Sequence, residues 1–126
     1  MKLQCLDHVA VTVTDVGRSV AWYQEVLGLQ RLHESAWGDR PAVLGAGTTG
    51  LALFRSDVER PAAPPGRDVL AMRHLAFRTD RAGFEASQAE LRGRGIGFDF
   101  EDHGIAHSIY LHDPDGHRVE ITTYEV

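Results

Sequence analysis

His8, His74 and Glu120 are of residue types that bind divalent metals, and each stands in a segment with the alternation of a β-strand. In "DHVAVTV" (7–13), Val9, Val11 and Val13 share one face, and His8, Ala10 and Thr12 the other. In "HLAFR" (74–78), Leu75 and Phe77 oppose His74, Ala76 and Arg78. In "RVEIT" (118–122), Val119 and Ile121 oppose Arg118, Glu120 and Thr122. Two neutral imidazoles and one carboxylate suit Fe(II), Mn(II), Ni(II), Co(II) or Zn(II). Three protein ligands on one side leave positions for water, substrate or dioxygen, which is the open arrangement of a catalytic site. Taken singly, each of these side chains also reads as a solvated group on a wet strand face. The recurrence of His at matching places, 66 residues apart, argues for a shared role.

The elements that must position them repeat. "DHVAVTVTD" followed by "VGRSVAWYQEVLGL" has the same order as "RHLAFRTD" followed by "RAGFEASQAELRGRGI": an alternating segment, an Asp, a helical segment and then Gly. In the first copy Asp15 is the expected N-cap, and Val16, Val20, Tyr23 and Leu27 recur on one helical face. Gly28 supplies the left-handed stop. In the second, Asp80 caps, Phe84 and Leu91 mark the apolar face, and Gly93 or Gly95 ends the helix. Strands are expected near 30–35, 41–46 and 50–55, and again near 97–101, 107–112 and 117–124. "DPDG" (113–116) forms a turn between the last two. The chain therefore reads as one α+β domain, 1–126, of two βαβββ modules. Module one spans 1–56 and module two 69–126. A linker at 57–68, "DVERPAAPPGRD", carries three of the five prolines. If the sheets curve as a cupped mixed sheet around a central cavity, the polar faces converge there.

Composition narrows the partners. Across 126 residues, 43% hydrophobic and 25% charged content is ordinary for a globular chain. A net charge of -5 with no basic run gives no electrostatic basis for nucleic acid or anionic membrane. No apolar run approaches the roughly 18 residues of a membrane span. With no signal peptide evident and Cys5 the only cysteine, a cytoplasmic location is expected. Cys5 has no neighbouring base and is not read as a nucleophile.

The segments "DHVAVTVTD…SVAWYQEVLGL", "RHLAFRTD" and "SIYLHDPDGHRVEI" resemble the vicinal oxygen chelate superfamily, the group of glyoxalases, bleomycin-resistance proteins and extradiol dioxygenases. The resemblance spans nearly the whole chain. It implies paired βαβββ modules around one divalent metal, with His8, His74 and Glu120 at the ligand positions. It also implies a small substrate that chelates the metal through neighbouring oxygens, and a homodimer in which a site can take ligands from two chains.

Within that group the resemblance favours dioxygenase-like chemistry with Fe(II) or Mn(II). Tyr110 stands ten residues before Glu120, as a Tyr does in ring-cleaving enzymes, and "DHGIAHSIY" is similar to their "HG…H…IY" segment. Tyr110, His103 and His107 are thus the catalytic candidates, set to donate hydrogen bonds and move protons. No His stands in "GTTGLALFRSD", where those enzymes place an acid/base. Ala52 falls where glyoxalase I carries a fourth ligand, a Glu, so the glyoxalase-type lyase or isomerase reading ranks second. The phosphonate-binding basic residues of fosfomycin transferases lack counterparts before "SIY" and after Glu120. The reading from another class is a metal-free, drug-sequestering protein like those of bleomycin resistance, which the net charge suits for a cationic drug. Trp37, in the loop-like "SAWGDRP", is expected with Tyr110 to line a substrate cavity. His112 and His117, beside the turn, read as surface residues, and His33 carries no signal.

Overall fold

The computed structural model describes residues 1–126, which divide into two units, Met1–Ala62 and Ala63–Val126. In the first, β1 (His8–Val13) turns its valines inward, and Asp15 then starts α1 (Val16–Glu25). The Asp15 carboxylate accepts the Arg18 amide at 2.9 Å, satisfying one of the N–H groups that a helix start leaves open. Val20 and Tyr23 face the sheet and are buried. Gly28, at φ 67°, reverses the chain: its amide donates to Gln24 O and that of Leu29 to Tyr23 O. β2 (Gln30–Leu32), α2 (Glu34–Trp37), β3 (Ala42–Ala46) and β4 (Thr49–Arg55) complete the unit. The sheet order is β1-β4-β3-β2, with β1 parallel to β4 and the other pairs antiparallel. Leu44, Leu51, Leu53 and Val13 fill its helix side.

One expectation is corrected here. The segment 30–35 is not all strand: β2 ends at Leu32, and Trp37 closes a one-turn helix instead of lying in a loop. The cause is His33, whose φ of 57° breaks the extended chain and turns its carbonyl to accept the Ala36 and Trp37 amides.

The second unit repeats the plan. It contains β5 (Leu75–Arg78), α3 (Arg81–Gly93), β6 (Asp99–Asp102), β7 (His107–His112) and β8 (Arg118–Thr123), in the order β5-β8-β7-β6. Asp80 caps α3 by accepting the Gly83 amide at 2.7 Å. Gly95, at φ 69°, and not Gly93, makes the reversal after it, where Ile96 N–H reaches Leu91 O. Ile109, Leu111, Val119 and Ile121 line the side packed against α3, with Phe84 and Leu91. The "DPDG" turn fixes how β7 meets β8. The buried Asp113 carboxylate accepts the amides of Asp115 and His117, each at 2.9 Å, and Gly116 takes φ 87°. That turn sets Tyr110 opposite Glu120 and Ser108 opposite Thr122. No helix is long and apolar enough to cross a membrane.

Candidate active site

On the second unit, the sheet face turned away from α3 gathers most of the predicted chemistry. His74 precedes β5, Glu120 lies in the middle of β8, and β5 pairs with β8 so that Ala76 opposes Glu120. His74 Nε2 thereby comes 2.8 Å from Glu120 Oε2. The other carboxylate oxygen, Oε1, accepts a 2.6 Å hydrogen bond from the hydroxyl of Ser108, which is fully buried. Thr122 Oγ1 lies 3.0 Å beyond Ser108 Oγ. Glu120 is only 7% exposed, so Ser108 and His74 replace the water it has lost.

Tyr110 stands on the same face, with the His74 ring edge-on at 5.6 Å. Its hydroxyl is 3.0 Å from His103 Nε2. Burial pushes the phenol above its ordinary value. The carboxylates of Glu120 and Glu101 add to the shift, and the bond with Ser108 partly opposes it. The phenol is therefore held in its protonated, donating form. Two residues of this cluster carry no role in the sequence reading. Ser108 alternates onto the face of Tyr110. Arg118, two residues before Glu120, lays its guanidinium 4.0 Å from the Tyr110 ring centre and 3.8 Å from Glu101. The signal for Arg118 was its i, i+2 relation to Glu120, which places both on one strand face.

His107 does not join them. It is the first residue of β7, so alternation puts it on the α3 side with Ile109 and Leu111, against the Phe100 ring at 5.3 Å and 3.5 Å from Asp102. The expectation that His107 acts beside Tyr110 is corrected on that ground. Of the turn histidines, His112 is exposed and His117 half-buried.

His74 Nε2 and Glu120 Oε2 are in direct ion-pair contact, a spacing that two neighbouring ligands of one cation also take. Bonds of about 2.0–2.2 Å at right angles would separate the donor atoms by about 3 Å, against the 2.8 Å observed. One nitrogen and one oxygen donor suit a divalent cation. Buried His74 Nδ1 has no hydrogen-bond partner. Within this unit no third His, Cys, Asp or Glu side chain completes the group.

In the first unit, His8 begins β1 opposite Gly50 and is half-exposed, with Nδ1 2.8 Å from Asp7 Oδ2. That bond favours the tautomer with its lone pair on Nε2, the form in which His ligates metals. The register also locates Ala52. It pairs with Ala10 in β1 as Glu120 pairs with Ala76 in β5, so Ala52 is the first-unit counterpart of Glu120. Its methyl cannot ligate. Trp37 and His8 both border a cavity of about 400 Å³ that belongs to this unit alone.

Comparison with known proteins places these features in a family. Residues 5–121 match the model of the Glyoxalase/Bleomycin resistance protein/Dioxygenase superfamily. Glutathione transferase FosA of Serratia marcescens is 30% identical over 119 residues, covering 94% of this chain and 80% of that protein. A catechol-2,3-dioxygenase of Bacillus subtilis is 29% identical over 117 residues, covering 92% of this chain but only 40% of the dioxygenase. Among solved structures, a glyoxylase/bleomycin resistance protein/dioxygenase domain from Frankia sp. EAN1pec superposes with a TM-score of 0.79 at 20% identity, covering 97% of this chain and 98% of that one.

Proposed function

The chain belongs to the Glyoxalase/Bleomycin resistance protein/Dioxygenase superfamily, and from that premise we propose that it is a metal-dependent enzyme of the dioxygenase type. Its substrate is a small molecule with two neighbouring oxygens, catechol-like in shape. The observation that carries this reading is the His74–Glu120 pair, 2.8 Å apart and backed by buried Ser108, with Tyr110 and His103 beside it. His74 and Glu120 hold the metal, Fe(II) or Mn(II) by preference. His8, in the first unit, is proposed as a ligand through Nε2. A divalent cation held there supplies Lewis-acid stabilisation to the substrate oxygens.

The protein's own groups do the rest. Ser108 fixes the Glu120 carboxylate through Oε1, leaving Oε2 to face His74 Nε2. Tyr110, protonated, donates a hydrogen bond to a substrate oxygen, and His103 Nε2, 3.0 Å away, takes or returns the proton. Dioxygen is the co-substrate, and both of its atoms enter the product. The resemblance to FosA supports a second reading, thiol transfer, for which Arg118 is the cation on the same face.

Metal content by mass spectrometry, on untagged protein purified without chelators, is the test. About one iron or manganese per chain, lost in Glu120→Ala, followed by oxygen uptake with catechols, is the expected result. Metal retained at wild-type stoichiometry in Glu120→Ala rejects the ligand assignment. Thiol consumption without oxygen uptake moves the enzyme to the transferase reading.

A further inference from the structure

The backbone at His103 is tied down, but its ring is not held by that backbone. The His103 amide donates to Ala106 O at 2.9 Å, that of Ile105 to His103 O at 3.0 Å, and that of Gly104 to Asp102 Oδ1 at 2.8 Å. Gly104, at φ 81°, takes the left-handed position in this connection from β6 to β7. A half-exposed imidazole on such a connection has several rotamers open to it. Two polar side chains border the ring. One is Tyr110, through its hydroxyl, and the other is Glu101, whose Oε2 lies 3.6 Å from the same Nε2.

Glu101 reaches this place through register. It pairs with Ser108 across β6 and β7, which puts its side chain on the face of Ser108 and Tyr110, away from α3. Its two oxygens serve different partners. Oε2 faces His103, and Oε1 lies 3.8 Å from the Arg118 guanidinium, which itself covers the Tyr110 ring at 4.0 Å. The contacts close a circle around Tyr110, with His103 at its hydroxyl and Arg118 on its ring face. Neither distance from Glu101 is that of a hydrogen bond, so its hold is electrostatic. Arg118 is a permanent cation, and His103 becomes one on taking a proton at the nitrogen that Glu101 faces. Charge pairs this exposed contribute little to folding. What the carboxylate supplies is direction, because it draws both partners toward one point.

We propose that Glu101 is a positioning residue: from the edge strand β6 it holds the Arg118 guanidinium on the ring of Tyr110 and the His103 ring at the Tyr110 hydroxyl. The inference rests on the proposed function only for what Tyr110 and His103 then do. The contacts themselves need no metal and lie within the second unit. Asp99 is the internal comparison. It stands two residues earlier on the same face of β6, opposite Tyr110 in register, yet it joins neither partner.

The test is NMR of chelator-stripped protein with 13C-labelled tyrosine, histidine and arginine. Wild type is expected to show a cross-relaxation peak between the His103 and Tyr110 rings and an upfield ring-current shift of the Arg118 side chain. In Glu101→Gln the peak should weaken about two- to fivefold, the change in equilibrium that an exposed charge pair supports, and the Arg118 shift should shrink with it. Asp99→Asn removes the same charge from the same strand face and should alter neither signal. Urea midpoints should match wild type in both variants. Signals unchanged in Glu101→Gln, or altered equally in Asp99→Asn, overturn the proposal. A peak lost together with a lower urea midpoint makes Glu101 a folding residue and overturns it too. With metal restored and catechol as substrate, kcat for oxygen uptake should fall about two- to fivefold in Glu101→Gln while KM holds. A rise in KM alone makes Glu101 a substrate contact and also overturns the proposal. Wild type that consumes no oxygen rejects the dioxygenase reading instead, and the NMR result, which needs neither metal nor substrate, still decides the role of Glu101.

Discussion

Ser108 makes a sharp prediction, because it touches the proposed ligand without being one. Its hydroxyl, fully buried, donates to Glu120 Oε1 at 2.6 Å. A hydrogen bond to a charged, buried carboxylate contributes about 1.5–3 kcal/mol. Ser108→Ala removes one oxygen and little volume, and Thr122 keeps a partner in His107 O at 3.3 Å. The loss therefore falls mainly on Glu120, with a part on Tyr110, which Ser108 also bonds. Part of it appears as lower stability of the metal-free protein. The rest appears as weaker metal binding, because the carboxylate is no longer aimed, and comparable supporting residues elsewhere account for about 10–100-fold in metal affinity. That range corresponds to about 1.4–2.7 kcal/mol, the size of the bond removed. Competition against a chromogenic chelator measures the affinity, and urea unfolding of stripped protein measures the stability. Ser108→Ala binding metal within about twofold of wild type, while less stable, would mean that the bond serves folding alone. The claim that it orients a ligand would then be wrong.

Tyr110→Phe keeps the packing against Arg118 and His74 but removes the hydroxyl in contact with His103 Nε2, so turnover should fall about 100-fold or more with metal content unchanged. A drop of less than about threefold in steady-state rate excludes a proton role. The raised phenol of Tyr110 has a definite pH consequence in metal-free protein. The folded state keeps this proton at a pH where the unfolded chain releases it, so the contribution is intact below the ordinary tyrosine value of about 10 and declines as pH rises through and beyond it. Urea midpoints across that range should fall more steeply for wild type than for Tyr110→Phe, and parallel slopes would contradict the burial argument. Asp80→Ala removes the cap of α3 and should cost about 1 kcal/mol in urea unfolding, with no change in metal affinity. Leu53→Ala, at a fully buried position of the first sheet, should cost about 2–5 kcal/mol.

The features set by local chemistry were legible in the sequence. Period-two alternation assigned the strand faces, Asp15 and Asp80 announced α1 and α3, and "DPDG" located the turn that pairs β7 with β8. The doubled pattern gave the two βαβββ units, because each copy carries its own caps and faces. Even the place of His107 was readable, since it begins β7 and must point opposite to Ser108 and Tyr110.

Other features belong to the tertiary structure. The break at His33 depends on one backbone angle that no periodicity encodes, and it decides where Trp37 stands. The contacts of His74 with Glu120, Ser108 with Glu120, and His103 with Tyr110 join different strands or the loop after one. Each is fixed by how strands slide past one another, and a shift of one residue would turn every partner to the other face. The residue types were therefore written in the chain, while their pairing came from the registers of β5, β7 and β8.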